Sequence, residues 1–275
     1  MQTVAIFGVG LIGGSFALAL RKSGFAGKIL GVSSPETIEK AVARGVIDAG
    51  VPVGEAAASA DLVYLSQPIH VILSTLHMVD AHVRPGTLIT DAGSTKVEIT
   101  KRAAKEIQRG VFLGGHPMAG KESSGVESAE ADLFRDRPYV LTPQGVDLDR
   151  GTAAELKATI EAIGARLVVL DPEEHDRLVA LVSHLPQLLS TALGEVLAAE
   201  PDAAKVAGPA VTEMTRLAMS PYTMWQDIFT TNEDPIDAIL ATYIAKLEEL
   251  RRNLQKPSTE QAFDRAAAAA RALRD

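Results

Sequence analysis

His116 sits in the stretch Gly114-Gly115-His116-Pro117-Met118-Ala119-Gly120, directly after the apolar run Val111-Phe112-Leu113. An imidazole titrates near neutrality, so a histidine fixed in such a turn can take a proton from an alcohol as hydride leaves the carbinol carbon. That chemistry needs a hydride acceptor, and the chain opens with a place for one. Gly8-Val9-Gly10-Leu11-Ile12-Gly13 follows an apolar strand pattern and enters a helical one, the context in which GxGxxG marks a dinucleotide-binding loop. Gly8 permits the tight turn, Gly10 lets a pyrophosphate approach the backbone, and Gly13 allows the helix to pack closely on the strand, with Leu11 and Ile12 completing the loop.

Two further sites belong to the same crevice. A dinucleotide fold usually holds the ribose 2′-hydroxyl with an Asp or Glu at the end of its second strand, but here Gly31-Val32 is followed by Ser33-Ser34. Without that acid nothing repels a 2′-phosphate, so Ser33 and Ser34 favour NADP slightly over NAD. The alternative is that Ser33 bonds the 2′-hydroxyl of NAD, and no arginine follows to decide. Ser94, in Asp91-Ala92-Gly93-Ser94-Thr95-Lys96, comes straight after the strand pattern Leu88 to Thr90. The carboxyl ends of strands carry the ligand site in such sheets, so Ser94 should face the glycine loop's crevice. It could equally be a helix N-cap, with Asp91 a turn residue.

The elements that must position these residues are legible as periodicity. Apolar runs at Thr3 to Phe7, Ile29 to Val32, Leu62 to Leu65, Leu88 to Thr90, Val111 to Leu113 and Tyr139 to Leu141 read as strands, separated by helical segments such as Glu36 to Arg44, Val71 to His82 and Lys96 to Arg109. That alternation predicts an α/β, Rossmann-type doubly wound parallel sheet covered on both faces. Ala153 to Ile163 and Arg166 to Leu170 add a last helix and strand.

The pattern changes at Asp171-Pro172-Glu173-Glu174, which reads as an N-cap followed by proline at the first helical position. Leu178 to Leu197 then follow helical spacing as one long helix, bent at Pro186. A second helix starts at Asp234-Pro235 and runs to Leu254, and a third follows the capping box Ser258-Thr259-Glu260-Gln261. With no strand signal after residue 170, the expected division is a dinucleotide-binding domain over 1–170 and an all-helical domain over 171–275. Wide apolar helix faces there predict packing into a homodimer.

Composition bounds the function classes. A formal charge of −8 argues against a nucleic-acid binder, so an anionic ligand must be held by a few placed cations. The absence of cysteine excludes disulfides, thiol nucleophiles and cysteine-ligated metals, and fits a cytoplasmic protein. Val4 to Leu20 is uncharged, but no basic residue precedes it, glycines interrupt it and Arg21-Lys22 follow it, so it reads as strand and helix rather than a signal peptide. No other segment has membrane-spanning length without charge, and no membrane partner is expected. His70, His77, His82 and His175 have no metal-like partners and read as surface or capping residues; no metal site is expected.

Several motifs occur together in the order seen in one known family. Gly8 to Gly13, Asp91 to Lys96, Gly114 to Gly120 continuing as Lys121-Glu122-Ser123-Ser124-Gly125, Ser183-His184-Leu185-Pro186, and Thr215-Arg216 followed by Met224-Trp225 resemble the prephenate and arogenate dehydrogenases of tyrosine biosynthesis over nearly the whole chain. The resemblance implies oxidative decarboxylation of a cyclohexadienol with NAD or NADP. His116 would accept the hydroxyl proton, Ser94 would bond the ring hydroxyl and help orient His116, and Arg216 would bind a substrate carboxylate, although Glu213 offers it an ion pair instead. Ser183 and His184 match a helix entering the active site, where His184 could also be a satisfied core histidine. Glu122 would gate the crevice or pair with a cation, and Trp225 reads more as core than as ligand contact. Relatives that use prephenate commonly have a histidine after Pro186 where this chain has Gln187, which strengthens arogenate against prephenate without displacing it. The sequence ends soon after the third helix, so tyrosine feedback, if any, is expected at the active site. A β-hydroxyacid dehydrogenase, an imine reductase or a non-catalytic dinucleotide sensor are the other readings of the same fold.

Overall fold

The computed structural model describes residues 1–121 and 123–274. Among them, β1 (Thr3–Phe7), β2 (Lys28–Val32), β3 (Ala49–Gly50), β4 (Leu62–Leu65), β5 (Leu88–Asp91), β6 (Val111–Pro117), β7 (Pro138–Thr142) and β8 (Arg166–Val169) form one sheet in the order β3-β2-β1-β4-β5-β6-β7-β8. The helices α1 (Leu11–Lys22), α2 (Pro35–Ala43), α3 (Val53–Ser59), α4 (Ile69–Asp80), α5 (Val97–Glu106) and α6 (Gly151–Ala162) connect the strands. Strand order reverses direction at β1, which pairs with β2 on one side and β4 on the other, so the carboxyl ends of β1 and β4 open onto a crevice.

Residues alternate between the two faces of the central strands, as the pleat requires. Val4, Ile6 and Tyr64 join one core cluster, while Ala5, Phe7 and Val63 join the other. Phe16 of α1 stacks on Tyr64 with ring centroids 4.1 Å apart, fixing the helix that the glycine loop starts.

Two departures from the expected parallel sheet have simple causes. Strand β7 runs antiparallel to β6. Its connection carries only a short turn, Val126–Ser128, among the described residues, and a parallel return needs a crossover element such as a helix. Strand β3 and helix α3 escape the periodicity because a two-residue strand shows no alternation and α3 is only seven residues long.

From Pro172 onward the described residues form helices α7 (Pro172–Val179), α8 (Leu185–Ala198), α9 (Pro209–Met214), α10 (Tyr222–Thr231), α11 (Glu233–Arg252) and α12 (Pro257–Ala272), with short 3-10 turns at Pro201–Val206 and Arg216–Met219. The chain is thus a Rossmann-type unit followed by an all-helical one. The bend expected at Pro186 appears upstream, as a π-helical stretch over Ala180–His184 joining α7 to α8. Proline at 186 lacks an N–H and crowds the carbonyl four residues earlier, and widening the preceding turn relieves both. Pro201 and Pro209 each open a short helix in a region where periodicity shows none. None of the described helices is long and apolar enough to cross a membrane.

Candidate active site

The glycine loop has the geometry its sequence requires. Gly8 has φ +92°, and a Cβ there would lie 2.8 Å from the Ser66 carbonyl oxygen. A Cβ on Gly13 would lie 2.3 Å from the Gly8 oxygen, so α1 could not sit this close to β1 with any other residue. A Cβ on Gly10 would meet nothing within 4 Å, which leaves the outer side of the loop open. Gly8, Gly10, Ser33, Ser34, Lys40 and Gln67 line the crevice there. Leu11 and Ile12, at the start of α1, are partly buried with their side chains packed against the core. The Gln67 Oε1 is buried with no hydrogen-bond partner among the described residues. An open glycine cradle at a helix N-terminus with an unpaired amide oxygen beside it fits a dinucleotide.

Ser34 caps α2, its Oγ accepting the Thr37 N–H at 3.4 Å. Lys40, unremarked in the sequence, reaches the same crevice from the middle of α2. Its Nζ pairs with Glu36 and with Glu127, each at 2.7 Å, and these partners raise its pKa. The signal was its helical spacing from Ser33 and Glu36.

His116 lies near the end of β6, held from beneath by a buried ion pair. Lys96 and Asp91, both fully buried, pair with each other. Asp91 Oδ1 accepts the Gly115 N–H at 3.0 Å, and Lys96 Nζ donates to the Gly115 carbonyl at 2.7 Å. Asp91 is therefore a brace for the histidine turn, where the sequence suggested only a turn residue. Burial pushes the Lys96 ammonium down while Asp91 and Asp176 oppose the shift.

The His116 ring is 8% exposed and its Nδ1 lies 2.8 Å from His175 Nε2. His175 Nδ1 lies 2.7 Å from Asp176 Oδ1. The same carboxylate accepts the Lys96 N–H at 2.7 Å and the Val97 N–H at 2.9 Å. Two expectations change here. His175 is fully buried rather than a surface or capping residue, because α7 packs against α5 and buries the face carrying His175, Asp176, Val179 and Ala180. The N-terminus of α5 is capped by Asp176, not Ser94, whose hydroxyl is left to the cleft. That His175 and Asp176 share the spacing of the apolar stripe is the signal that could have found them.

Burial pushes the His116 imidazole well below its ordinary pKa, and the neighbouring His175, Lys96 and His184 push the same way. The ring is a neutral base near pH 7. With Nδ1 engaged, Nε2 is the nitrogen left for a ligand.

Ser94, His116, Met118, Ser183, Arg216 and Trp225 line one cleft of about 410 Å³, within the usual range for a small-molecule site. Ser94, expected beside His116 in the chemistry, and two of the expected substrate residues, Ser183 and Arg216, are thus brought together with His116. Trp225, expected as core, also faces this cleft, and its buried Nε1 has no hydrogen-bond partner among the described residues. His184 and Gln187 are not among the lining residues. His184 is 1% exposed, lies 3.1 Å from Asn232 Nδ2 through its Nδ1, and meets Trp225 edge-on at 6.0 Å. Burial holds its pKa down at about 4. Gln187 Nε2 donates to the Leu217 carbonyl at 2.9 Å, and Ser190 Oγ accepts the Ala218 N–H at 2.9 Å, so α8 pins the turn that carries Arg216. Glu122 lies outside the described residues.

Comparison with known proteins agrees with this geometry. Residues 16–169 match the prephenate dehydrogenase nucleotide-binding domain and residues 171–266 the prephenate dehydrogenase dimerization domain. The chain is 32% identical over 268 residues to a prephenate dehydrogenase of Lactococcus lactis subsp. cremoris, covering 94% of this chain and 73% of that protein. It is 33% identical over 276 residues to that of Bacillus subtilis, covering 95% and 72%. Among solved structures, Aquifex aeolicus prephenate dehydrogenase in complex with hydroxyphenyl propionate and NAD+ matches with a TM-score of 0.89 at 33% identity, over 100% of this chain and 99% of that one. Synechocystis arogenate dehydrogenase matches with a TM-score of 0.84 at 30% identity, over 98% and 99%. A glycine cradle, a neutral histidine at a neighbouring strand end and both family domains converge on one conclusion: the chain belongs to the prephenate dehydrogenase family of dinucleotide-dependent oxidoreductases.

Proposed function

We propose that this family member oxidatively decarboxylates prephenate to 4-hydroxyphenylpyruvate, with His116 as the proton acceptor. The observation that carries this reading is a neutral His116 with Nε2 free for a ligand, sharing a cleft with Ser94 and Arg216 on the carboxyl edge of the sheet that also bears the glycine loop. His116 Nε2 takes the ring hydroxyl proton as that carbon becomes a carbonyl. Ser94 donates a hydrogen bond to the same oxygen. Arg216 presents its planar fork to a substrate carboxylate, and Ser183 and Trp225 close the cleft around the ring. Loss of carbon dioxide then aromatises the ring, which supplies the driving force. When bound, the dinucleotide supplies the hydride acceptor; Gly8, Gly10 and Gly13, with the amides of Leu11 and Ile12, hold its pyrophosphate.

The preferred cofactor on this reading is NADP. No carboxylate follows β2 at Ser33-Ser34, and Lys40 is close enough to exchange Glu127 for a 2′-phosphate. Residues 1–170 serve dinucleotide binding, residues 171–275 serve substrate binding and dimerisation, and the enzyme works as a cytoplasmic homodimer. Arogenate is the second reading, favoured by Gln187, which carries no proton-dependent charge, and by the likeness to the Synechocystis enzyme. The deciding experiment is a matrix of prephenate or arogenate with NAD or NADP, comparing kcat/KM. The highest value is expected for prephenate with NADP; turnover of neither substrate would defeat the assignment.

A further inference from the structure

Resting on that assignment, we propose that His175, held by Asp176, is the positioning residue for the catalytic base: it keeps the proton of neutral His116 on Nδ1, leaves Nε2 open to the cleft, and receives the Nδ1 proton when Nε2 is protonated. The geometry is a continuous buried chain, His116 Nδ1 to His175 Nε2 at 2.8 Å and His175 Nδ1 to Asp176 Oδ1 at 2.7 Å. Asp176 can only accept, so His175 carries its proton on Nδ1 and offers a bare Nε2. That Nε2 accepts a hydrogen bond, so His116 must donate from Nδ1. The tautomer of the base is thereby dictated from the helical half of the molecule, 59 residues away.

The same chain gives the accepted charge a better place to rest. The substrate O–H bond breaks and N–H forms at His116 Nε2; the His116 Nδ1–H bond breaks and N–H forms at His175 Nε2. His116 returns to neutrality, His175 becomes imidazolium, and Asp176 stays a carboxylate. Release of the His116 Nε2 proton to solvent after product leaves, with return of the shared proton, restores the starting tautomers. The charged and titratable groups facing the pair are Asp176, Asp91, Lys96 and the neutral His184. A cation on His116 has Lys96 and two histidines around it. On His175 it is bonded directly to a carboxylate, which offsets part of the desolvation that lowers both rings.

The test has one arm that needs neither substrate nor a variant's folding. Nitrogen-15 NMR of the histidine-labelled native enzyme should show His116 and His175 both protonated at Nδ1 and bare at Nε2; His116 protonated at Nε2 overturns the proposal. In the second arm, His175→Gln keeps an acceptor for His116 Nδ1–H but cannot take a proton. Its kcat should fall roughly 10- to 100-fold, with KM and dinucleotide affinity within about two-fold. The acid limb of its kcat profile should move to lower pH, because only the low-pKa His116 remains to be protonated. Unchanged kcat, a loss confined to KM, or a fixed acid limb would each count against it. A native enzyme inert towards both substrates would defeat the functional assignment alone, leaving the tautomers to be read by NMR.

Discussion

The proposed role of His116 as a base rests on what surrounds it: burial keeps it neutral, and a hydrogen bond on one nitrogen leaves the other for chemistry. His116→Asn removes the proton acceptor while preserving a hydrogen-bonding side chain, so kcat should fall roughly 10²- to 10⁴-fold with dinucleotide affinity retained in fluorescence titration. Retained turnover would instead favour a hydroxyacid-type reaction. Lys96 presents the opposite case, a charge that serves structure. Removing it in Lys96→Met strands Asp91 in the interior, and breaking such a pair costs about 3–5 kcal/mol. A lowered urea midpoint should show this, and an unchanged midpoint would mean that the pair contributes nothing net. His116 was legible in the sequence because its turn is local; Lys96 was not, since burial depends on strands that meet only in the fold.

At the level of elements, the substrate cleft depends on how α8 grips the turn Arg216–Met219. Ser190 Oγ accepts the Ala218 N–H and Gln187 Nε2 donates to the Leu217 carbonyl, two bonds that flank the backbone bearing Arg216. Ser190→Ala leaves one amide unpaired at a cost of about 1 kcal/mol, so KM should rise several-fold with kcat nearly unchanged. If steady-state kinetics show no change in KM, the turn is held by other contacts. Gln187 thus also shapes the cleft through the chain that bears Arg216. Ser183, Arg216 and the glycine loop stand out in the sequence because each carries a short motif, and the fold brings Ser183 and Arg216 into one cleft with His116. The π-helical turn ahead of Pro186 and the antiparallel β7 were hidden, since both answer to sterics and connection geometry rather than to hydrophobic period.

For the whole molecule, the contrast between the two halves is informative. The central strands β1, β4 and β5 are buried, whereas α11 has a single buried residue, Ile236, and α12 has none. Exposed Ile244, Leu247, Leu254 and Phe263 ask for cover that one copy does not supply. Sedimentation should give a dimer at micromolar concentration, and a monomer would refute the homodimer. Acid stability follows from the three buried histidines. The folded pKa values of His116, His175 and His184 lie below the ordinary value of 6.5, to about 4 for His184, so the unfolded chain binds protons first as pH falls. Their contribution is complete above about pH 6.5 and is lost towards pH 4, each costing up to about 1.4 kcal/mol per pH unit. Urea midpoints at pH 7.5, 6 and 5 should decline in that order, and a flat series would rule the mechanism out.

Asp176 joins these scales, because one carboxylate caps helix α5 of the first half and supports the His175–His116 pair. The halves are consequently not interchangeable modules. A chimera that grafts a foreign helical half onto this dinucleotide-binding half would keep its glycine cradle yet lose both a helix cap and the setting of its base. Residues 175 and 176 would have to travel with the first half for recombination to preserve chemistry.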